Sequence, residues 1–289
     1  MSYYKVLGFE TEPFSTSPDP EFFYLSRKHQ TALTKILIEL HLRRGLSVVL
    51  GDVGTGKTSL SRKLIQELKE NEEFLLHIIL DPSFESEYQF LHLLARHFNV
   101  PPADLKDTTT LQLKELLERF LFQKSVVEKK MVVLVVDEAQ KLNEMSLEVL
   151  RVLLNFETNQ FKLLQLVLLG QMEFYPRIVN IPNFFDRISF KYSLFPFNLE
   201  ETKEMIDFRI RQAGYKAKMQ LFLNDAIKEI YEATQGYPRR ITMLCHSALK
   251  DLVLRKKFVV DAEIIENIVQ EEIRSGWQRE NQLSRKISY

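Results

Sequence analysis

The 289-residue sequence predicts an α/β fold, a five-stranded parallel sheet between helices followed by a small all-helical domain. Three observations carry that expectation. Short continuous apolar runs alternate with segments of helical spacing, as in strands buried on both faces. Residues 51–58 read Gly-Asp-Val-Gly-Thr-Gly-Lys-Thr, a full match to G-x-x-x-x-G-K-[ST], set between an apolar run and a helix. After Pro196 strand patterns stop and only helical periodicity continues.

The elements follow in order. From about Thr31 the apolar positions Leu33, Ile36, Leu37 and Leu40 have helical spacing, and Gly45 supplies the stop before a first strand at 46–50. Residues 59–68 continue the loop as a helix, and 74–80 read as a second strand ending at Asp81-Pro82. Helices follow at 87–98 and 111–122, separated by the breaker Val100-Pro101-Pro102. A third strand at 131–136, a helix at 146–156 and a fourth strand at 163–169, closed by Gly170, come next. A fifth short strand at 189–194 runs into Phe195-Pro196. Four helices remain, at 199–213, 224–234, 239–254 and 262–273, punctuated by Gly214 and Gly236. The expected division is therefore an N-terminal segment and first helix on the core (1–44), an α/β nucleotide-binding domain (45–197), a helical lid domain (198–274) and a polar tail (275–289).

Composition excludes several classes. Lys plus Arg and Asp plus Glu number 39 each, so the chain is neutral, which argues against a surface given over to nucleic acid or membrane. A local basic patch stays open, at Arg43-Arg44 or Arg255-Lys256-Lys257, although solvated helix ends explain both. One cysteine cannot form an intramolecular disulfide, which fits a reducing compartment. The first residues lack the basic and apolar regions of a signal peptide. The most apolar runs fall far short of the roughly 20 residues a spanning helix needs. A soluble cytoplasmic protein is expected.

Each fixed position of the loop has a job. Gly51, Gly54 and Gly56 let the backbone curl so that its N–H groups, with those of Asp52, Val53, Thr55 and Ser59, cradle a phosphate at a helix start. Lys57 brings positive charge to the β- and γ-phosphates, and Thr58 offers a hydroxyl to Mg²⁺. A nucleoside triphosphate is the expected ligand. The run Val-Val-Leu-Val-Val at 132–136 delivers Asp137 and Glu138 to the end of the third strand. If that strand neighbours the loop strand, Asp137 reaches Mg²⁺ and Glu138 orients and deprotonates the attacking water. Two acids capping the next helix is the plainer alternative. Gln171, after the fourth strand, can hold that water or be a turn residue. Arg187, before the fifth strand, can reach a triphosphate on a neighbouring subunit or make a local ion pair with Asp186 or Glu173. Arg239, in Gly236-Tyr-Pro-Arg-Arg240, would face a cleft between the domains and read the γ-phosphate, or stand solvated at a helix start.

Taken together, these motifs resemble the AAA+ superfamily, and within it the ExeA or general secretion pathway protein A type of ATPase. The resemblance begins upstream, in Gly8-Phe9, Pro13-Phe14-Ser15, Ser17-Pro-Asp-Pro20, Phe23-Tyr-Leu-Ser26, His29, Ala32 and Leu33. It continues through the phosphate loop, Asp137-Glu-Ala-Gln140, Gly170-Gln171, Arg187-Ile188 and Gly236-Tyr-Pro-Arg-Arg-Ile241. It implies a P-loop AAA+ module with ATP and Mg²⁺ as ligands, an adenine seat bordered by residues 24–29, and self-association into a ring or dimer. Partner proteins in a secretion, pilus or other envelope machine are implied too, with the inner face of the membrane as a place of action. The family often carries a second arginine shortly after Arg187; here Lys191 keeps the charge without bidentate geometry. Larger members add a membrane-spanning helix and a peptidoglycan-binding domain, so this chain is expected to be a short member or the cytosolic part of a longer one. The same motifs also fit a DNA-binding regulator similar to transposition helper ATPases, or a nucleotide-dependent scaffold with negligible turnover.

Other features have plain explanations. Cys245 falls on the apolar stripe Ile241, Leu244, Ala248, Leu249, Leu252 and reads as a buried thiol. His92 and His97 have the wrong spacing for one helix face, so no metal cluster is expected. Phe9, Phe14, Phe22 and Phe23 read as anchors of the N-terminal segment rather than a base-stacking platform.

Overall fold

A computed structural model describes residues 2–17, 19–101, 105–217 and 219–276. Pro18, Pro102 and nearly all of the expected polar tail lie outside the described residues. The chain forms two compact units, one of Arg27–Val53 and Lys57–Leu194, the other of the residues up to Ser26, Gly54–Gly56 and those from Phe195 onward.

After a single helical turn, α1 (Tyr3–Val6), the sheet unit begins with α2 (Arg27–His41) and β1 (Leu46–Gly51). It continues with α3 (Lys57–Lys69), β2 (Phe74–Ile79), α4 (Glu87–His97), α5 (Thr110–Phe122) and β3 (Met131–Val136). Then come α6 (Glu144–Leu153), β4 (Leu164–Gly170), α7 (Phe174–Val179), α8 (Pro182–Phe185) and β5 (Ile188–Leu194). Every expected strand forms within a residue or two of its expected ends. The five strands are all parallel, in the order β2-β3-β4-β1-β5. Every residue of β1, β3 and β4 is buried, as continuous apolar runs require, while the edge strands β2 and β5 are partly exposed. Side chains start the helices: Ser86 caps α4, Asn143 caps α6, and Thr109 forms a capping box with Gln112 on α5. The short helices α7 and α8 were not expected, because Pro176 and Pro182 disguise them as loop; both prolines sit in first turns, where their missing N–H costs nothing.

Strand order corrects one expectation. β3 does not neighbour β1, because β4 lies between them. Asp137 therefore approaches the loop across an intervening strand.

The helical unit holds α1, α9 (Leu199–Gln212), α10 (Asn224–Thr234), α11 (Pro238–Leu254) and α12 (Ala262–Arg274) around its own core. The N-terminal segment divides differently from the expected 1–44. Phe9 and Phe14 are buried in this core with Ile210, Phe222 and Leu249, whereas α2 packs on β1, α3 and β5 of the sheet unit. Large aromatics upstream of Ser26 find their apolar partners on α9, on α11 and in the stretch between α9 and α10, so residues before and after that point belong to separate cores. Phe14 meets Phe222 edge-on at 5.8 Å. Arg209 on α9 is buried beside them, donating to Ser15 O at 2.9 Å and Thr242 Oγ1 at 2.6 Å. The boundary expected after residue 197 also moves, since Phe197 is in the helical core and its N–H donates to Gly236 O at 2.8 Å.

Candidate functional site

The phosphate-loop motif sits where β1 turns into α3, so it spans a buried strand end and the positive end of a helix. Gly54 and Gly56 have φ of +88° and +94°, the left-handed region that side chains resist. Asp52 and Val53 are exposed, Thr55 is buried and Ser59 half-buried. Lys57 is only 7% exposed, and its ammonium donates to Gly51 O at 2.8 Å and Asp52 O at 2.9 Å. Burial lowers its pKa; the charges of Glu138, Asp137 and Asp52 work against that shift. The loop tip, Gly54–Gly56, groups with the helical unit, where the Arg239 N–H donates to Gly54 O at 3.4 Å; the Arg239 side chain is exposed.

The acids converge on the same place. Asp137 is 3% exposed and lies beside the Thr58 side chain, while its Oδ1 accepts the Glu138 N–H at 2.9 Å. Burial raises the Asp137 pKa and the adjacent Glu138 charge adds to it; the Glu138 N–H, Lys57 and the Thr58 side chain oppose the shift. Thr58, in the first turn of α3, and Asp137, just past β3, thus come together at the carboxyl ends of the strands despite the intervening β4. A buried carboxylate and a hydroxyl form a hard oxygen pair that fits Mg²⁺, an ion that completes its shell with water and phosphate oxygens. Glu138 itself has φ of +53°, an unfavourable backbone for a residue with a side chain, at the turn that leaves β3.

Two further side chains, Gln140 and Arg177, stand beside this pair. Gln140 Nε2 donates to Glu138 Oε2 at 2.5 Å, and its Oε1 accepts the Gln171 N–H at 3.1 Å. Arg177 on α7 donates to Gln140 O at 2.5 Å and also to Leu142 O. Gln140 was visible only as the last letter of the Asp-Glu-Ala-Gln run, and Arg177 lies on a helix that the prolines hid. Gln171 stands at the end of β4, between the strands bearing the loop and the acids.

Arg187 lies elsewhere. It precedes β5, so it is at the amino end of the parallel strands, opposite the end where the loop follows β1. Its guanidinium donates to Asn155 Oδ1 (Nε at 3.1 Å) and to Asn183 O at 2.6 Å, rather than pairing with Asp186 or Glu173. Lys191, on β5, places its ammonium 3.7 Å from the centre of the Phe185 ring.

The remaining candidates behave as packing. Cys245 is buried, and that burial pushes its thiol up, away from thiolate chemistry at neutral pH. Among the described residues no group of three or more His, Cys, Asp or Glu could hold a metal, and no helix is long and apolar enough to cross a membrane.

Comparison with known proteins gives a consistent picture. Residues 40–178 match the family model described as an AAA domain. General secretion pathway protein A of Aeromonas hydrophila is 34% identical over 249 residues, which cover 86% of this chain but 44% of that protein. The chain thus spans under half the length of its curated relative. Among solved structures, Cdc6p from Pyrobaculum aerophilum aligns with a TM-score of 0.64 at 17% identity, over 87% of this chain and 69% of that one. Drosophila ORC bound to DNA aligns with a TM-score of 0.64 at 19% identity, over 99% and 69%. The Thermotoga maritima RuvB branch migration motor reaches 0.55 at 16%, over 84% and 68%. At such identities these structures speak for the fold alone.

Proposed function

We propose that this chain, whose residues 40–178 match the AAA domain model, is an AAA+ protein that binds ATP with Mg²⁺ and hydrolyses it. The observation that supports this best is the meeting of Thr58 with the buried Asp137, beside Lys57 and Glu138. The loop N–H groups of 51–59 hold the phosphates, and Lys57 turns from its own carbonyls to the β- and γ-phosphate oxygens. Thr58 and Asp137 hold the metal, which when bound neutralises charge on the phosphates. Glu138 takes a proton from the attacking water, and Gln171 helps to hold that water. Arg239 reads the γ-phosphate from the helical lid.

Arg187 acts in trans, on the triphosphate of a neighbouring copy in a ring or dimer. Its place at the opposite end of the strands from its own loop favours this over service to its own site. ATP closes the lid and drives self-assembly; hydrolysis resets both. The likeness to general secretion pathway protein A supports a role in a secretion, pilus or other envelope machine, worked from the cytoplasm or the inner face of the membrane. A DNA-bound regulator has less support, because the DNA-associated structures share only the fold.

The test is Mg²⁺-dependent ATP hydrolysis by the wild type and by Glu138→Gln. Hydrolysis lost in the variant, with nucleotide binding retained, is expected. Equal slow rates in both would make the chain a binding switch instead. Duplex DNA added to the same assay should leave turnover unchanged; stimulation abolished by salt would favour the DNA reading.

A further inference from the structure

We propose that Gln140 is a positioning residue for Glu138, tying its carboxylate to the Gln171 peptide so that the two water-facing groups stay in register. The inference rests on the ATPase reading above and goes beyond it by naming what sets the base. One amide spans both partners, with Nε2 at 2.5 Å from Glu138 Oε2 and Oε1 at 3.1 Å from the Gln171 nitrogen. Its orientation has no alternative: a flipped amide would set oxygen against carboxylate and N–H against N–H.

The tether is itself held. Arg177 fixes the Gln140 carbonyl at 2.5 Å and that of Leu142, so the backbone carrying the amide cannot drift with its side chain. Gln171 follows Gly170, which pairs with Leu50 next to the loop. Gln140 therefore connects the end of β4, beside the phosphate loop, to the acid at the end of β3. A general base must stand within a hydrogen bond of the proton it takes, and a free glutamate side chain samples several rotamers. Gln140 removes most of them.

The experiment follows ATP hydrolysis and nucleotide binding across pH 5.5–8.5 for the wild type, Glu138→Gln, Gln140→Ala and Gln140→Glu. Gln140→Ala should lower kcat about tenfold, a fraction of a general base's usual contribution, with KM for ATP within about twofold. Gln140→Glu sets a second carboxylate against Glu138 at high pH, and once protonated it donates to Glu138 while still accepting from Gln171. Its activity relative to wild type should therefore recover by at least about threefold as pH falls. A merely structural glutamine would not produce that rescue. Wild-type kcat in Gln140→Glu at every pH overturns the proposal, as does an equal deficit at every pH. If Gln140→Ala fails to fold, the pH profile of Gln140→Glu decides alone. A wild type no faster than Glu138→Gln removes the ATPase reading, and this inference with it.

Discussion

The Thr58 side chain stands beside the carboxylate of Asp137, although the strands that precede them, β1 and β3, are separated by β4. Both residues stand at the carboxyl ends of the strands, Thr58 in the first turn of α3 and Asp137 just past β3. Their meeting sets a hydroxyl against an acid that is 3% exposed, so single changes at either residue should disturb the site.

Lys57→Ala tests the loop. The ammonium is the buried positive charge of the site, and its two carbonyl partners are alternatives to phosphate oxygens. Loss of a charge-assisted hydrogen bond, about 1.5–3 kcal/mol, predicts roughly 10- to 100-fold weaker ATP binding. Calorimetric titration or a fluorescent nucleotide checks this; an unchanged Kd would place the phosphates elsewhere.

Asp137→Asn should trade function for stability. Burial raises the Asp137 pKa in the folded protein, so the folded state prefers the protonated acid. That preference contributes stability below the unfolded carboxylate pKa and is lost as pH rises through the folded value. The amide keeps the shape and carries no charge. Its Tm should exceed the wild-type Tm at pH 7.5, and the gap should shrink toward pH 4, while Mg²⁺-dependent turnover falls. A gap that widens toward acid would reverse the sign.

Arg187→Ala should fail as a homogeneous preparation yet recover activity when mixed with Lys57→Ala, since each then supplies what the other lacks. Loss of one transition-state arginine is worth about 10³-fold or more where fingers act. Recovery should pass through a maximum with mixing ratio. No recovery at any ratio, with both variants folded, argues that the Asn155 and Asn183 contacts are the whole role of Arg187.

Phe14→Ala addresses the core of the helical unit. Phe14 is fully buried against Phe222, and the Arg209 guanidinium lies 5.9 Å from its ring. Deletion should cost about 3–5 kcal/mol, read by denaturant unfolding of the full chain. Chymotryptic cleavage should then appear first within residues 2–26, which carry several Phe and Tyr. A change under about 1 kcal/mol would mean that the segment before Ser26 contributes little to that core.

Nearly all of the secondary structure was legible in the sequence, since β1, β3 and β4 are predominantly apolar, interrupted only by Ser47 and Gln165, and closed by polar residues or glycine. The loop, Asp137 and Glu138 were legible because each occupies a fixed step in a local pattern. The unexpected helices α7 and α8 were hidden by prolines, which mark loops and first helical turns alike. With them went Arg177, and so the hold on Gln140.

By itself, then, the sequence determined which segments are strands, where the phosphate loop begins, and which acids follow β3, because these depend on neighbours within a few residues. Only the tertiary structure decided that β4 stands between β1 and β3, that Thr58 nonetheless reaches Asp137, and that Gln140 joins Glu138 to Gln171. It also decided that the residues before Ser26 join the helical core rather than the sheet. Strand order and the choice between two apolar cores come from long-range packing, and a short apolar pattern is compatible with several partners.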